Sequence, residues 1–194
     1  DVYKRQFMDH YSRKTATLYG IVEMDLTPRT LLTLGGDAQN NRPVNSTWGG
    51  IPLLNADGQF NDMPRSHNNG TRWSRWDQYT RTAFATLEHS FSNGWVAKAQ
   101  FNHQINGYNA NLGAAAAGFP NPADGSGVSL WRGQYIGRTT SNALDAYASG
   151  PFSLGGREHE LVLGASVARR HWKNDGYWQP VSYTHLRAHE TRED

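Results

Sequence analysis

The chain has no cysteine among its 194 residues, which excludes a disulfide frame and a thiolate metal site. It has no run of about 18 apolar residues, and its mean hydropathy is negative, so a transmembrane helix is excluded. That leaves a transmembrane β-barrel open, because half of each barrel strand is polar. The net charge is only +2 and the basic residues are scattered, which speaks against a nucleic-acid partner. Catalytic motifs are missing as well. His159-Glu160 opens an H-E-x-x-H pattern, but the fifth residue is Leu163 and the segment alternates like a strand. No G-x-S-x-G supports a nucleophile elbow, and no G-x-G-x-x-G follows a strand. No enzyme activity, bound metal or resident cofactor is expected.

Present instead are 7 Trp and 9 Tyr beside 20 Gly, the composition of a β-rich chain. The stretch from Thr82 to Gln104 reads as a hairpin. Ala83, Ala85, Leu87 and Phe91 share one face of its first arm; Trp95, Ala97, Ala99 and Phe101 share one face of its second. Thr82, Thr86, Glu88, Ser90, Lys98, Gln100, Asn102 and Gln104 lie opposite, and Asn93-Gly94 suits the tight turn. Similar alternation predicts strands over Thr15–Leu26, Thr30–Gln39, Thr140–Phe152 and Glu158–Arg170. Asn40–Gln78, Ile105–Arg138 and the stretch from His171 read as long connections, with a helical turn allowed at Ala114–Ala117. Thr27-Pro28-Arg29, Asn93-Gly94 and Ser153–Arg157 read as short turns. The fold expected is all-β, an antiparallel up-and-down meander of about six strands with long loops at one end, as in part of a transmembrane barrel. Phe91, Trp95 and Phe152 sit on the apolar face beside the short turns, where an aromatic girdle belongs. His89 breaks the apolar row and is tolerable only near that interface. Ordinary packing in a soluble β core is the competing reading for these aromatics.

Asp1–Gln6 and Val181–Asp194 lack alternation and resemble translated adapter scars, so the domain expected is residues 7–180; a native tail is the competing reading. The chain begins without Met, so a preceding segment is expected. His185 and His189 stand four apart but are not taken as a metal site.

Four stretches in order carry a family resemblance: Asp25-Leu26-Thr27-Pro28-Arg29-Thr30, Gly49-Gly50-Ile51-Pro52, Leu87 to Trp95 and Gly150 to Leu161. Together they resemble TonB-dependent siderophore receptors, of the type taking ferric coprogen or pyoverdine. The resemblance implies a barrel of about 22 strands, a plug domain and a TonB box in the Gram-negative outer membrane. It also implies a ferric siderophore as transported ligand and the TonB-ExbB-ExbD complex as energising partner. Neither plug nor box is evident in this chain. An open sheet of six strands has two unpaired edges that lipid does not tolerate, so the segment is expected to act only within a larger barrel. The glycosylation patterns at Asn45 and Asn69 carry no weight in that location. Candidate ligand contacts are Trp48, Trp73, Trp76, Trp131 and Tyr135, whose rings suit a bulky, partly flat chelate, with Arg72 and Arg75, and also Asn68 and Gln134, to bond its oxygens. For each, anchoring the loop is the competing role. Two other functions stay open: a passive porin or adhesin barrel, and a secreted β-sandwich that binds or hydrolyses carbohydrate. The sandwich requires Leu18, Val22, Leu87, Phe101 and Leu163 to be buried against a second sheet.

Overall fold

A computed structural model describes residues 8–180 apart from 49, 51 and 176. The terminal segments read as scars, His185 and His189, and Gly49 and Ile51 of the resemblance lie outside the described residues. The chain forms one antiparallel sheet in sequence order: β1 (Ser12–Thr27), β2 (Thr30–Val44), β3 (Arg75–Ser90), β4 (Val96–Gly118), β5 (Val128–Leu154) and β6 (Arg157–Asn174). A short β7 (Tyr177–Pro180) pairs with β5. The sheet is not closed: β1 and β6 are its edges among the described residues.

The strands are longer than the sequence pattern predicted. Ile105–Arg138 is not one long connection; β4 runs on to Gly118 and β5 begins at Val128. The Ala114–Ala117 run is strand rather than helical turn: Ala114 pairs Trp131 and Ala115 pairs Leu130. Nor does a loop start at His171. β6 pairs Asn174 with Gly137, and β7 pairs Tyr177 with Gln134, so both follow one line along β5 in unchanged register. The short turns at 28–29, 91–95 and 155–156 still share one end of the sheet. The other end carries the connections 45–74 and 119–127.

The register settles the faces. Val22, Leu34, Ala85, Phe101, Leu144 and Val167 form one cross-strand row, and Met24, Leu32, Leu87, Ala99, Ala146 and Ala165 the next. No second layer covers them: Leu18 is 74%, Val22 58%, Leu87 43%, Phe101 44% and Leu163 59% exposed. A β-sandwich is therefore contradicted. The opposite face carries cross-strand polar ladders, with Thr15 donating to Asn41 (3.1 Å), Asn41 to Gln78 (2.8 Å) and Glu88 paired to Lys98 (3.5 Å).

The apolar rows slant. On β1 the outward apolar positions run from Leu26 to Ala16; on β6 they run from Leu161 to Val167. The register carries Ala16 across to Lys173, three outward positions beyond Val167. That is about 20 Å of strand over about 24 Å of sheet, from the usual rise and strand spacing. A level lipid boundary then requires strands tilted by roughly 40°, the tilt of transmembrane barrels.

Close to the short turns the aromatics fit an interface. Trp95 lies over Gly150, where an added Cβ would fall 2.4 Å from the ring, and its Nε1 donates to the Pro151 carbonyl (3.1 Å). Phe152 stacks on His159 at 5.2 Å. His89 is accommodated here: its Nδ1 is 2.7 Å from the Thr30 hydroxyl, and its ring meets Phe91 edge-on at 4.5 Å.

Candidate functional site

Toward the long-connection end the apolar face changes sides. On β4, Ala97, Ala99, Phe101 and Ile105 point outward, but beyond Ile105 the apolar residues are Tyr108, Ala110, Leu112 and Ala114, which point the other way. β5 follows only in part: Tyr135 and Trp131 turn inward, while Ile136 and Leu130 keep the outward phase of Leu144 and Ala146. An outward apolar row is stable against lipid; once the wall stands in water, apolar groups gain by turning inward and being covered. The cover is the connection 45–74. Ser74, fully buried, accepts from the Gly113 amide (2.9 Å) and donates to the Gly113 carbonyl (3.1 Å). Gly70 bridges to Ala114, and Ala115 donates to the Asn69 carbonyl (3.0 Å). Asn68 holds the connection together internally: its amide donates to the Asn45 and Asp9 carbonyls (3.0 Å each) and its Oδ1 accepts from Gly70 N (2.8 Å).

This packing leaves a cavity of about 310 Å³ on the polar, inward face, lined by Trp48, Trp76, Tyr108, Ala110, Leu112 and Tyr135. Trp48 tilts against Tyr135 (centroids 5.4 Å, 56°) and against Trp131 (6.3 Å, 57°). Tyr108 lies on Gly137, where any Cβ would fall 2.3 Å from its ring, and its hydroxyl donates to Asn174 Oδ1 (3.3 Å). The Trp76 Nε1 is buried without an acceptor. Desolvation pushes the Tyr135 phenol above its ordinary value, so it stays a protonated donor at neutral pH. An apolar, aromatic recess with a few unspent donors takes a flat or conjugated ligand rather than a small ion. Among the described residues no cluster of three or more His, Asp or Glu is placed to hold a metal.

Of the sequence-predicted residues, Trp48, Trp76, Trp131 and Tyr135 come together here. Arg72, Trp73 and Arg75 do not. Arg75 points away from the face that carries Trp76, and Trp73 lies against Gly113 on that outer side, where a Cβ would be 2.7 Å from its ring. Gln134 alternates to the outer side as well. Sequence reasoning missed Tyr108, Ala110 and Leu112, although their two-residue spacing against Asn109, Asn111 and Gly113 is a strand signal. A larger hollow of about 510 Å³ opens on the outward face, where Ala97, Ala99, Ala146, Ala148 and Ala165 lie between Leu87 and Leu163. Its surface is almost entirely apolar and belongs to the lipid-facing rows, so the smaller aromatic cavity is the candidate site.

An exposed apolar band, slanted rows and a polar inward face are the marks of transmembrane barrel wall. Comparison with known proteins names the kind. The chain is 51% identical over 181 residues to the ferripyoverdine receptor of Pseudomonas aeruginosa, covering 93% of this chain and 22% of that one. It is 34% identical over 166 residues to the ferric-pyoverdine BN7/BN8 receptor of Pseudomonas putida, covering 86% and 20%. The structure of the ferripyoverdine receptor of the P. aeruginosa outer membrane, bound to ferripyoverdine, superimposes with a TM-score of 0.84 over 92% of this chain and 24% of that one. No protein-family model matches. The resemblance to TonB-dependent siderophore receptors is borne out, and the chain is barrel wall of that type. It spans about a fifth of the length of the curated relatives it matches.

Proposed function

We propose that this chain supplies barrel wall and surface connections to an outer-membrane receptor that imports a ferric siderophore of the pyoverdine type by TonB-dependent transport. The observation that supports it best is the two-sided wall: uncovered apolar rows on one face and the aromatic cavity on the other. The relatives are receptors for ferric pyoverdines, which favours that ligand class over coprogen and a gated receptor over a passive porin or adhesin. Trp48, Trp76, Trp131 and Tyr135 contribute ring surface to the ligand, and Trp76 Nε1 donates to one of its oxygens. Trp73 and Arg75 face the outer side of the wall and Arg72 is not among the residues lining the cavity, so none of the three is assigned to the ligand. Iron arrives as cargo inside its chelator. The TonB-ExbB-ExbD complex acts through the plug and TonB box of the complete receptor. No bond is made or broken by this segment.

The test is uptake of radiolabelled ferric pyoverdine by cells that carry the complete receptor and no other. Trp48→Ala and Trp76→Ala together should lower binding at least about tenfold, each lost aromatic contact being worth of order 1 kcal/mol. Unchanged binding in the double variant, or uptake that persists after the inner-membrane proton gradient is collapsed, contradicts the proposal.

A further inference from the structure

Below the aromatic cavity, the inward face of β4 carries an unbroken column of neutral carboxamides. Tyr108 lines the cavity. The next inward positions of the same strand are Asn106, Gln104, Asn102 and Gln100, and a charge first appears at Lys98, which is paired with Glu88. Inward positions recur about every 6.6 Å, so these amides span about 20 Å of wall. Hydroxyls flank the upper rungs: Thr80 and Thr139 stand opposite Asn106, and Thr82 and Ser141 opposite Gln104. Thr80 Oγ1 donates to Asn106 Oδ1 (2.8 Å), and Asn106 Nδ2 donates to Gln104 Oε1 (2.9 Å). That leaves the Gln104 amide nitrogen unspent, and the side chains of Asn102 and Gln100 make no hydrogen bond among the described residues. A small polar hollow of about 160 Å³, lined by Gln39, Asn41, Gln78, Tyr79 and Thr80, lies beside the upper end of the column.

We infer that this column is the track along which the ferric chelate leaves the aromatic cavity, and that it suits a chelate whose outer surface is carbonyl, hydroxyl and amide rather than strongly charged. The inference rests on the function proposed above. A carboxamide both donates and accepts, so each rung offers the same bonds as the one before it. Each such bond replaces one to water and is weak on balance. Weak, repeated sites let a solute enter and move on, where a single strong site would hold it. The strands to one side have a different character. Tyr19 and Ile21 are apolar inward positions of β1, and Glu23, Asp25 and Asp37 are acids on the same face of β1 and β2. Phe84 leans over Gly35, on the side away from β4, where an added Cβ would fall 2.3 Å from its ring. Those groups give a folded domain fixed apolar and ionic contacts; the β4 column offers only exchangeable hydrogen bonds.

The test uses cells carrying the complete receptor, with binding and uptake of radiolabelled ferric pyoverdine measured separately. An unaltered receptor that shows no binding or no TonB-dependent uptake refutes the function proposed above, and the track with it. Given both, Asn102→Leu with Gln104→Leu keeps the bulk and removes the hydrogen bonds. It should lower the uptake rate at least about fivefold while binding stays unchanged. Asn102→Gln with Gln104→Asn keeps the carboxamides and should keep uptake. Unchanged uptake in the leucine pair overturns the track, and so does equal loss in both pairs, since shape rather than hydrogen bonding is then at work. Entry of vancomycin into cells with the leucine pair also overturns it, because the column would then be seating the plug. If the leucine pair loses binding as well, Gln104→Cys decides, in a segment with no cysteine of its own. Modified in the assembled receptor, it should take up the chelate with a methylthio group and not with a bulky maleimide. Uptake that continues under the bulky adduct, or a thiol that never reacts during uptake, overturns the track.

Discussion

Arginine placed along two strands provides a direct measurement of the slant. Val22 and Val167 occupy the same cross-strand row, five strands apart. In a wall with untilted strands they lie at one depth. With a tilt of roughly 40° they do not. Val22 then falls near the middle of the β1 band from Ala16 to Leu26, whereas Val167 is the last apolar outward position of β6. An arginine on the lipid face costs about 2–4 kcal/mol at the bilayer midplane and about 0–1 kcal/mol near the interface. Val22→Arg should therefore destabilise the complete receptor by about 2–4 kcal/mol, roughly 30- to 1000-fold in the folding equilibrium. Val167→Arg should cost under about 1 kcal/mol, and Ala165→Arg, one outward position deeper, should recover most of the larger penalty. Glu23→Arg faces the polar side beside Val22 and serves as the control for a new charge without lipid. The assay is equilibrium guanidinium unfolding from phospholipid vesicles, followed by tryptophan fluorescence. Equal penalties at Val22 and Val167 would refute the tilt. A large penalty at Glu23 would refute the assignment of faces.

Three smaller perturbations address the site and its support. Trp76→Phe keeps a ring in the cavity but removes the unpartnered N–H; if that group bonds the ligand, titration calorimetry should show affinity falling about 3- to 10-fold, from a hydrogen bond of about 0.5–1.5 kcal/mol. Ser74→Ala takes the acceptor from the Gly113 amide and one of two donors from its carbonyl, which keeps the Thr71 amide. The loss of about 1–3 kcal/mol should appear as faster proteolysis within 45–74, with the membrane strands unaffected. Gly107→Val drives a Cβ to within 2.2 Å of the Tyr79 ring and should lower the thermal midpoint of the receptor, whereas Gly20→Val, with nothing within 4 Å, should not.

The lower halves of the strands were legible because one rule dominates there, outward apolar, inward polar, period two, with Ile21, Tyr147 and Val162 as inward exceptions. Leu18, Val22, Leu87, Phe101, Leu144 and Leu163 announced their face without help from the coordinates. The upper halves of β4 and β5 were not legible, because there the alternation shifts by one residue, on β5 only in part. Asn106-Gly107-Tyr108-Asn109-Ala110-Asn111 reads as a loop while apolar residues are sought in the old phase. It reads as strand once Tyr108 and Ala110 are assigned to the other face. Residue type marks Trp76, Trp131 and Tyr135 as candidate contacts in or beside loops, whereas they stand on β3 and β5. The folding of 45–74 was hidden for a different reason. Asn45, Asn68 and Ser74 act through backbone hydrogen bonds at long sequence separation, which leave no periodicity to read.

The shift in phase also explains where the packed core lies. Among the described residues, the buried apolar side chains are Ala110, Leu112 and Ala114, all beyond the lipid-facing rows. Lower on the wall no core is needed, since bilayer hydrocarbon does for Leu87 and Val167 what a second protein layer does in a soluble sheet. Above it the solvent changes, and the same backbone ladder must cover its own methyl groups. Trp48 and the connection 45–74 provide that cover, and the imperfect fit between a rigid wall and a folded connection leaves the aromatic cavity. Aromatic recess and membrane boundary thus share one cause. The site sits just past the height at which apolar residues change face, so moving that boundary along β4 would move the recess with it.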